Sequence, residues 1–353
     1  MNYRKVLTSI VFISVILLSA CSSPGKPGDN HLVISGSTMG TTYTIKIVKN
    51  NFLLLGDTTK KVEELEDGIT SLLRSINMKM STYIPDSEIS LFNNFKKTSW
   101  LDISSETAFV LSNSVRISEM TGGAFDITIG PLTNLWGFGP NRKPVKIPGD
   151  VEIDRVREKI GYKKISIRNE PPSARKDDPE VYCDLSAIAK GYGVDMVASF
   201  LDSQGFYNYL VEIGGEISVR GKNAGGKEWR LGVLAPDGSN DVKEIIAIGD
   251  LAMATSGDYH NYFEENGIRY SHTIDPVTGR PITHKLVSVT VIMKSCMEAD
   301  ALATAIDVMG PVRGYEFAVK NSIPVYMIVK EGEVYKDKMT PAFSIFPVDN
   351  RKN

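Results

Sequence analysis

The sequence lacks the features that identify several common enzyme classes. Its 353 residues include only three cysteines and four histidines, and none are spaced like the ligands of a zinc site. There is no Gly-x-Gly-x-x-Gly turn after a strand, no phosphate-binding P-loop and no nucleophile elbow. These absences disfavour the nucleotide enzymes with well-known fingerprints.

The sequence also lacks an excess of positive charge. It has 40 Lys and Arg against 42 Asp and Glu, a formal net charge of −2, which argues against nucleic acid as a partner. Internal repeats, heptads and a second membrane segment are absent as well. The length allows one large domain or two ordinary domains.

The N-terminal segment predicts export. Arg4 and Lys5 precede the apolar run Val6–Leu18, which is too short to span a bilayer comfortably, and small residues then lead to Cys21. This order is typical of a bacterial lipoprotein signal, in which the lipidated cysteine becomes the mature N-terminus. An ordinary signal peptide with an incidental cysteine is the alternative.

We therefore predict a signal peptide over 1–20, a flexible Ser-, Pro- and Gly-rich tether over 21–30, and a folded domain over 31–347. The expected location is extracytoplasmic, lipid-anchored to a bacterial membrane on its periplasmic face. In an oxidising compartment Cys183 and Cys296 could pair, but we expect free, partly buried thiols.

Hydrophobic periodicity predicts helices and strands that mix without regular alternation. This favours an α+β fold with mixed or antiparallel sheets flanked by helices. The segment Glu170–Glu180, with three prolines and mixed charges, predicts a surface excursion. The predicted helices cover 62–76, 104–123, 156–161, 184–204 and 297–309, and the predicted strands or hairpins 31–48, 209–220, 229–234, 263–273, 287–293 and 324–329.

The stretch D-L-S-A-I-A-K-G-Y-G-V-D, from Asp184 to Asp195, is the most informative in the chain. We expect Asp184 to be the N-cap of a helix on which Ser186 and Lys190 share a face. A cation beside the free amides of a helix N-terminus could bind a phosphate.

A second pattern, M-E-A-D-A-L-A-T-A, predicts a site for a hard cation. Asp300 and Thr304 lie one helical turn apart and present two oxygen ligands, with no Cys or His nearby, which suits Mg²⁺. The alternative is that Asp300 is a solvated helix residue and Thr304 a packing residue. Asp307 continues the stripe and is expected at the surface.

Three further segments allow both a functional and a structural interpretation. In S-H-T-I-D-P, His272 could be a base beside Asp275, or the segment could simply form a turn. In T-G-G-A-F-D, the glycines could admit a flat ring and Asp126 could bind sugar hydroxyls, or the glycines could end a helix. In G-S-T-M-G, Met39 could lie against a ring, or the segment could be a strand bulge.

In their order, these segments resemble the ApbE family of FAD:protein FMN transferases over nearly the whole mature chain. The motifs that carry the resemblance are G-S-T-M-G-T, M-S-T-Y-I-P-D-S-E-I-S-L-F-N, T-G-G-A-F-D-I-T-I-G-P-L, D-L-S-A-I-A-K-G-Y-G-V-D, E-I-G-G-E-I, S-H-T-I-D-P-V-T-G and M-E-A-D-A-L-A-T-A. The resemblance implies an ApbE-like (T-fold-like) architecture.

The resemblance also implies an activity. An enzyme of this family binds FAD with Mg²⁺ and transfers FMN to a Thr or Ser hydroxyl of a partner protein, releasing AMP. The usual acceptors are subunits of respiratory membrane complexes with a Ser/Thr-Gly-Ala-Thr segment. That segment does not occur in this chain, so self-flavinylation is not expected.

The resemblance assigns roles to individual residues. The Ala187 carbonyl, Asp300 and Thr304 would hold the metal, whereas Ala303 stands where some members have a second acid. For the base we expect His272, with Asp275 orienting it or substituting for it. The residues that would contact FAD are Met39, Tyr83, Ala124, Phe125, Asp126, Asp184, Lys190 and Ile274.

Two other functions remain open on the sequence. Some relatives hydrolyse FAD to FMN and AMP with water as the nucleophile, so free FMN would be their product. A non-catalytic, FAD-binding lipoprotein is a different class, but it would have no need of Asp300, Thr304 and His272.

Overall fold

The structure is a computed structural model that describes residues 30–49, 58–139, 147–236, 241–257, 262–265, 268–332 and 334–347. The predicted signal peptide with Cys21, and all of the predicted tether except Asn30, lie outside these residues. None of the helices in the described part of the chain is long and apolar enough to cross a bilayer.

Seven helices and seventeen strands occur in the described residues. The helices are α1 Thr58–Met80, α2 Glu88–Asn94, α3 Ser105–Met120, α4 Gly130–Leu135, α5 Asp150–Arg157, α6 Ala189–Ser203 and α7 Cys296–Lys320. The strands are β1 His31–Thr38, β2 Thr41–Val48, β3 Leu101–Asp102, β4 Ile165–Asn169, β5 Pro172–Lys176, β6 Tyr209–Ile213, β7 Glu216–Arg220, β8 Trp229–Leu234, β9 Val242–Ile248, β10 Ala252–Gly257, β11 Tyr262–Glu265, β12 Ile268–Ser271, β13 Ile274–Asp275, β14 Arg280–Pro281, β15 Leu286–Met293, β16 Val325–Glu331 and β17 Val334–Met339.

An eight-stranded sheet organises the molecule, in the order β1-β2-β6-β7-β10-β15-β16-β17. Every neighbouring pair in it is antiparallel. Because side chains alternate along a strand, each strand contributes to two cores. On β10, Ala252 and Ala254 face helices α6 and α7, whereas Met253 faces the β8–β9 hairpin. The expected α+β fold with antiparallel sheets and flanking helices is confirmed.

Several predicted elements are present with close to the expected bounds. The β1–β2 hairpin turns at Met39-Gly40, and the β6–β7 hairpin turns at Gly214-Gly215. Helix α3 begins after Ser104, whose side chain accepts a hydrogen bond from the Thr107 amide, as an N-cap should. Strands β11 and β12 pair in an antiparallel arrangement, as the hairpin predicted over 263–273 requires.

The prediction of a surface excursion at Glu170–Glu180 is wrong. Strand β5 lies within it, pairs with β3 and β4, and buries Ala174 and Lys176. The Lys176 ammonium donates to the carbonyls of Asn93, Pro179 and Val181, at 3.0–3.1 Å. These three bonds compensate for its removal from water, so a charged residue can lie inside a strand.

The helix predicted over Met297–Met309 continues further than expected. Its backbone leaves the helical region at Gly310, with φ 76° and ψ −178°, and then resumes as far as Lys320. The Gly-Pro pair therefore produces a kink inside α7, because proline cannot donate the hydrogen bond of a continuous helix.

Candidate active site

A cavity of about 420 Å³ lies where α6, α7 and the main sheet meet the 124–129 segment. Residues from seven separate sequence segments line it. Eleven of the residues predicted to form the site are among them: Tyr83, Ala124, Phe125, Asp126, Asp184, Ala187, Lys190, His272, Ile274, Asp300 and Thr304. Tyr83, 67% exposed, lies at its rim.

Met39 and Asp275 are not among the residues that line this cavity. Met39 packs against the cores on the helical side of the sheet and lies beside Gly193 of α6. The Asp275 carboxylate accepts a hydrogen bond from the Val277 amide at 2.8 Å, and its carbonyl accepts one from Gly279. The geometry thus supports the turn interpretation of Asp275 and gives no support to its predicted role beside His272.

Asp184 does not cap a helix, because α6 begins only at Ala189. Its carboxylate instead accepts a hydrogen bond from the Ser186 amide at 2.9 Å, in a turn that precedes the helix. The Asp184 amide donates to Ile127, which ties this turn to the 124–129 segment. The expectation that Ser186 and Lys190 share a helix face is wrong, but Asp184, Ala187 and Lys190 still line one cavity.

Lys190 is held between two buried carboxylates. Its ammonium lies 3.0 Å from Glu216 Oε1 and 3.7 Å from Asp300 Oδ1. Burial opposes the charge of Lys190, but the carboxylates of Asp300 and Glu216 outweigh this effect and raise its pKa. Burial likewise raises the pKa of Glu216, against the attraction of Lys190. Lys190 is therefore a permanent cation at the cavity wall.

Asp300 and Thr304 lie on α7 and both face the cavity, as their spacing predicts. Asp300 is only 5% exposed, and its Oδ2 accepts a hydrogen bond from the Gly191 amide at 3.0 Å. A Cβ on Gly191 would collide with the Cys296 carbonyl, so this glycine allows α6 to approach α7. The solvated-residue interpretation of Asp300 is thereby excluded.

Asp195 joins the same two helices. Its carboxylate accepts hydrogen bonds from the Ser295 hydroxyl and from the amides of Cys296 and Met297, at 2.7–3.0 Å. It therefore caps α7 from α6 and fixes the position of Asp300 in the next turn.

Asp126 lies in the cavity wall, and both of its carboxylate oxygens accept hydrogen bonds from the protein. Oδ1 accepts from the amide and hydroxyl of Thr128, at 2.8 and 2.6 Å, and Oδ2 accepts from the Tyr162 amide at 2.9 Å. Burial raises the pKa of this carboxyl, although the hydrogen bonds act in the opposite direction. Asp126 thus shapes the segment that carries Ala124 and Phe125.

His272 follows β12 and faces the cavity beside Phe138, with ring centroids 6.4 Å apart in an edge-on arrangement. The Ser271 hydroxyl accepts a hydrogen bond from the Thr273 amide, and the Thr273 carbonyl accepts one from Ile282. His272 therefore lies on a segment that is fixed on both sides of it.

Comparisons with known proteins show the family to which this chain belongs. The model of the ApbE family matches residues 39–327. The chain belongs to the ApbE family. It is 46% identical to the FAD:protein FMN transferase of Vibrio cholerae, over 96% of this chain and 98% of the relative. It is 40% identical to the FAD:protein FMN transferase of Haemophilus influenzae, over 96% of this chain and 97% of that relative.

The fold is that of the solved family members. The structure of the flavin transferase ApbE from Vibrio cholerae superposes with a TM-score of 0.82, covering 90% of this chain and 99% of that one. At this similarity the chain is a transferase that acts on flavin, and the cavity is the candidate site for that activity.

The donor atoms of this ApbE chain fit a hard divalent cation. Asp300 offers a carboxylate, Thr304 a hydroxyl and Ala187 a carbonyl, and all three residues line the cavity. No group of three or more His, Cys, Asp or Glu residues suited to a metal occurs in the described residues. Two oxygen side chains with a backbone oxygen suit Mg²⁺, which keeps sites open for water and phosphate.

Sequence reasoning missed one acid that lines the site and one that lies behind it. Glu216 belongs to the E-I-G-G-E-I motif, where the glycine turn places a buried acid opposite Lys190. Asp307, expected at the surface, is completely buried. A signal for it was present in the spacing, since Asp300 and Asp307 are two helical turns apart on one face.

Both internal cysteines are free thiols, as expected, but they are fully rather than partly buried. Burial raises the pKa of both thiols well above the ordinary range. They are packing residues of the cores, and neither is a reactive thiolate.

Proposed function

We propose that this enzyme transfers the FMN moiety of FAD to a Ser or Thr hydroxyl of a partner protein, with Mg²⁺ and with release of AMP. One observation carries the proposal: a single cavity contains the oxygen donors of α7, the cation Lys190 and the ring of His272. Each of these groups has a separate task in phosphoryl transfer.

We infer that the diphosphate binds at the part of the cavity that carries Lys190, Asp300 and Thr304. Bound at Asp300, Thr304 and the Ala187 carbonyl, Mg²⁺ would supply charge neutralisation at the diphosphate oxygens. Lys190 would add a fixed positive charge at the same part of the cavity. Such positioned charge is usually the largest contribution to catalysis of this kind of displacement.

The acceptor hydroxyl attacks the phosphorus of the FMN moiety. A bond forms between that phosphorus and the hydroxyl oxygen, and the bond from phosphorus to the AMP oxygen breaks. His272 would take the proton of the hydroxyl, since an imidazole titrates near neutral pH and faces the cavity. AMP leaves with the negative charge that develops on its phosphate.

The acceptor is a protein with a Ser/Thr-Gly-Ala-Thr type of segment, and we infer a subunit of a respiratory membrane complex. We also infer that the enzyme is anchored by lipid at Cys21 on the periplasmic face of the membrane. The motif of the acceptor is absent from this chain, which supports action on a second protein.

The decisive experiment incubates the purified protein with FAD, Mg²⁺ and an acceptor domain that contains this segment, and then measures the acceptor by mass spectrometry. A gain of one FMN moiety that survives denaturation supports transfer. Release of free FMN and AMP without a modified acceptor would show a hydrolase, and intact FAD would show a carrier.

The same assay tests the metal site. Asp300→Asn should reduce transfer by at least about 10³-fold, because the metal loses its charged ligand and catalysis loses several kcal/mol of charge stabilisation. The control is Glu298→Gln, on the same helix but paired with Arg116 outside the cavity, which should transfer normally. Normal transfer by Asp300→Asn, or by wild type in excess EDTA, would contradict the proposed site.

A further inference from the structure

A completely buried acid, Asp307, lies behind the cavity on α7, two turns beyond Asp300. Its Oδ2 accepts a hydrogen bond from the Ser256 hydroxyl at 3.0 Å and a longer one from the Thr273 hydroxyl at 3.5 Å. Ser256 is on β10, and Thr273 directly follows His272. Both line the cavity.

Thr273 is held at three points. Its amide donates to the Ser271 hydroxyl, its carbonyl accepts from the Ile282 amide, and its hydroxyl donates to Asp307. The first two bonds fix the local shape of the His272 segment. The third bond fixes where that segment lies relative to α7, which also carries Asp300.

The position of Asp307 is itself fixed from the opposite side. His284 Nε2 lies 2.6 Å from the Asp307 carbonyl, and since a carbonyl can only accept, this nitrogen donates. The His284 ring also packs against Gly310, where α7 kinks. The helix end that carries Asp307 is therefore held by the loop before β15.

A buried carboxylate needs such partners. Removing it from water costs several kcal/mol unless hydrogen bonds compensate, and an apolar residue here would avoid that cost. The carboxylate has a use that an apolar residue would not have. By accepting hydrogen bonds from two cavity-lining hydroxyls, it fixes the positions of Ser256 and Thr273 relative to α7. Misplacement of reacting groups by about 1 Å can reduce a rate about 100-fold.

We propose that Asp307 is a positioning residue for flavin transfer: through the hydroxyls of Thr273 and Ser256 it holds the His272 segment at a fixed position relative to Asp300 and Thr304. This inference rests on the proposed role of His272 as the base. Asp307 is not among the residues that line the cavity, so its effect reaches the reaction through the residues it holds.

The first test compares Thr273→Val, which removes the hydroxyl at nearly constant volume, with Thr273→Ser, which retains it. We expect Thr273→Val to lower kcat at least about tenfold, with KM for FAD changed by no more than about twofold. Thr273→Ser should stay near the wild type. A merely structural role would not give this separation of kcat from KM, or rescue by serine.

The second test needs no substrate. Hydrogen exchange of the ligand-free protein should show amides of 271–275 exchanging at least about tenfold faster in Thr273→Val and in Asp307→Leu, which removes both acceptor oxygens, with α6 unchanged. Ser114→Ala is the control: it removes a buried α3 hydroxyl that donates to Val110, and it should alter neither kcat nor exchange in 271–275.

A double-mutant cycle completes the test. Thr273→Val combined with Asp307→Leu should lower kcat little more than either change alone, because both break the same link. Normal kcat and normal exchange in Thr273→Val would overturn the inference, as would a loss confined to KM. If His272→Ala transfers flavin like the wild type, the proposed base is wrong. If His272→Ala is inactive while Thr273→Val is normal, only the positioning role fails.

Discussion

The role that each acid of this site can take depends on its hydrogen-bond partners. Asp300 gives one oxygen to the Gly191 amide and keeps the other near Lys190 and the cavity. Asp126 gives both oxygens to backbone and hydroxyl donors. Asp300 is therefore suited to be a metal ligand, whereas Asp126 is suited to hold the 124–129 segment in place.

Lys190 balances two buried acids, so its replacement should have a pH-dependent cost. Lys190→Met leaves Glu216 and Asp300 without their cation and should destabilise the ligand-free protein by about 3 kcal/mol at pH 9. Burial raises the pKa of Glu216 above the ordinary 4.5, so the folded state holds its proton more tightly than the unfolded state does. Lys190→Met removes the attraction that limits this shift, so Glu216 should keep its proton to a still higher pH in the variant. The pKa of Glu216 beside Lys190 is about 8, so the loss should grow as pH rises above about 8 and be smaller at pH 6 than at pH 9.

Urea unfolding in EDTA at pH 6 and pH 9 measures this difference. Lys96→Met is the matched control, since Lys96 forms an exposed pair with Glu180 and its replacement should change stability little at either pH. An equal loss at both pH values would mean that Glu216 does not respond to Lys190.

At the scale of elements, helix α7 carries Asp300, Thr304 and Asp307 in the part that precedes its kink at Gly310. Gly310 has φ 76°, and a Cβ there would lie 2.7 Å from the His284 ring. Gly310→Ala should destabilise the protein by about 2 kcal/mol or more, through both backbone strain and this contact.

Gly332 provides the comparison for that prediction. It also has a positive φ, 64°, but its Cβ position is open. Gly332→Ala should cost about 1 kcal/mol, the backbone contribution alone. Equal losses in the two variants, measured by urea unfolding, would show that the contact with His284 is unimportant.

Elements were predictable from the sequence where a local signal determined them. The Gly214-Gly215 hairpin and the Ser104 cap follow from turn and cap chemistry within a few residues. Strand β5 was not predictable, because Lys176 reads as a surface residue until its three carbonyl partners are known. The start of α6 was missed for a similar reason, since Asp184 makes a turn that mimics a helix cap.

Most residues that line the site were predictable from the sequence, but the partners that hold them in position were not. The spacing of Asp300 and Thr304 correctly placed both on one face of α7. Glu216 and Asp307 were missed because their partners, Lys190 and Thr273, lie on other elements. Long-range pairing of this kind leaves no periodicity in the sequence.

At the scale of the whole molecule, the eight-stranded sheet separates the catalytic side from a supporting side. The helices α6 and α7 and the cavity lie on one face, and the β8–β9 hairpin covers the other. The cavity is complete only when α6, α7, β10 and the segment around His272 are all folded, because each of them contributes lining residues. Ligand binding should therefore stabilise the fold as a unit.

This coupling gives a last prediction. FAD with Mg²⁺, each at about 100 times its dissociation constant, should raise the free energy of unfolding by about 2.7 kcal/mol or more, because only the folded state contains the complete site. FAD in EDTA should stabilise less, and Mg²⁺ should add nothing to FAD in Asp300→Asn. Unfolding in urea with and without each ligand measures this. If Mg²⁺ stabilised Asp300→Asn as well as wild type, the metal would have to lie elsewhere, and the link between α7 and the flavin diphosphate would be lost.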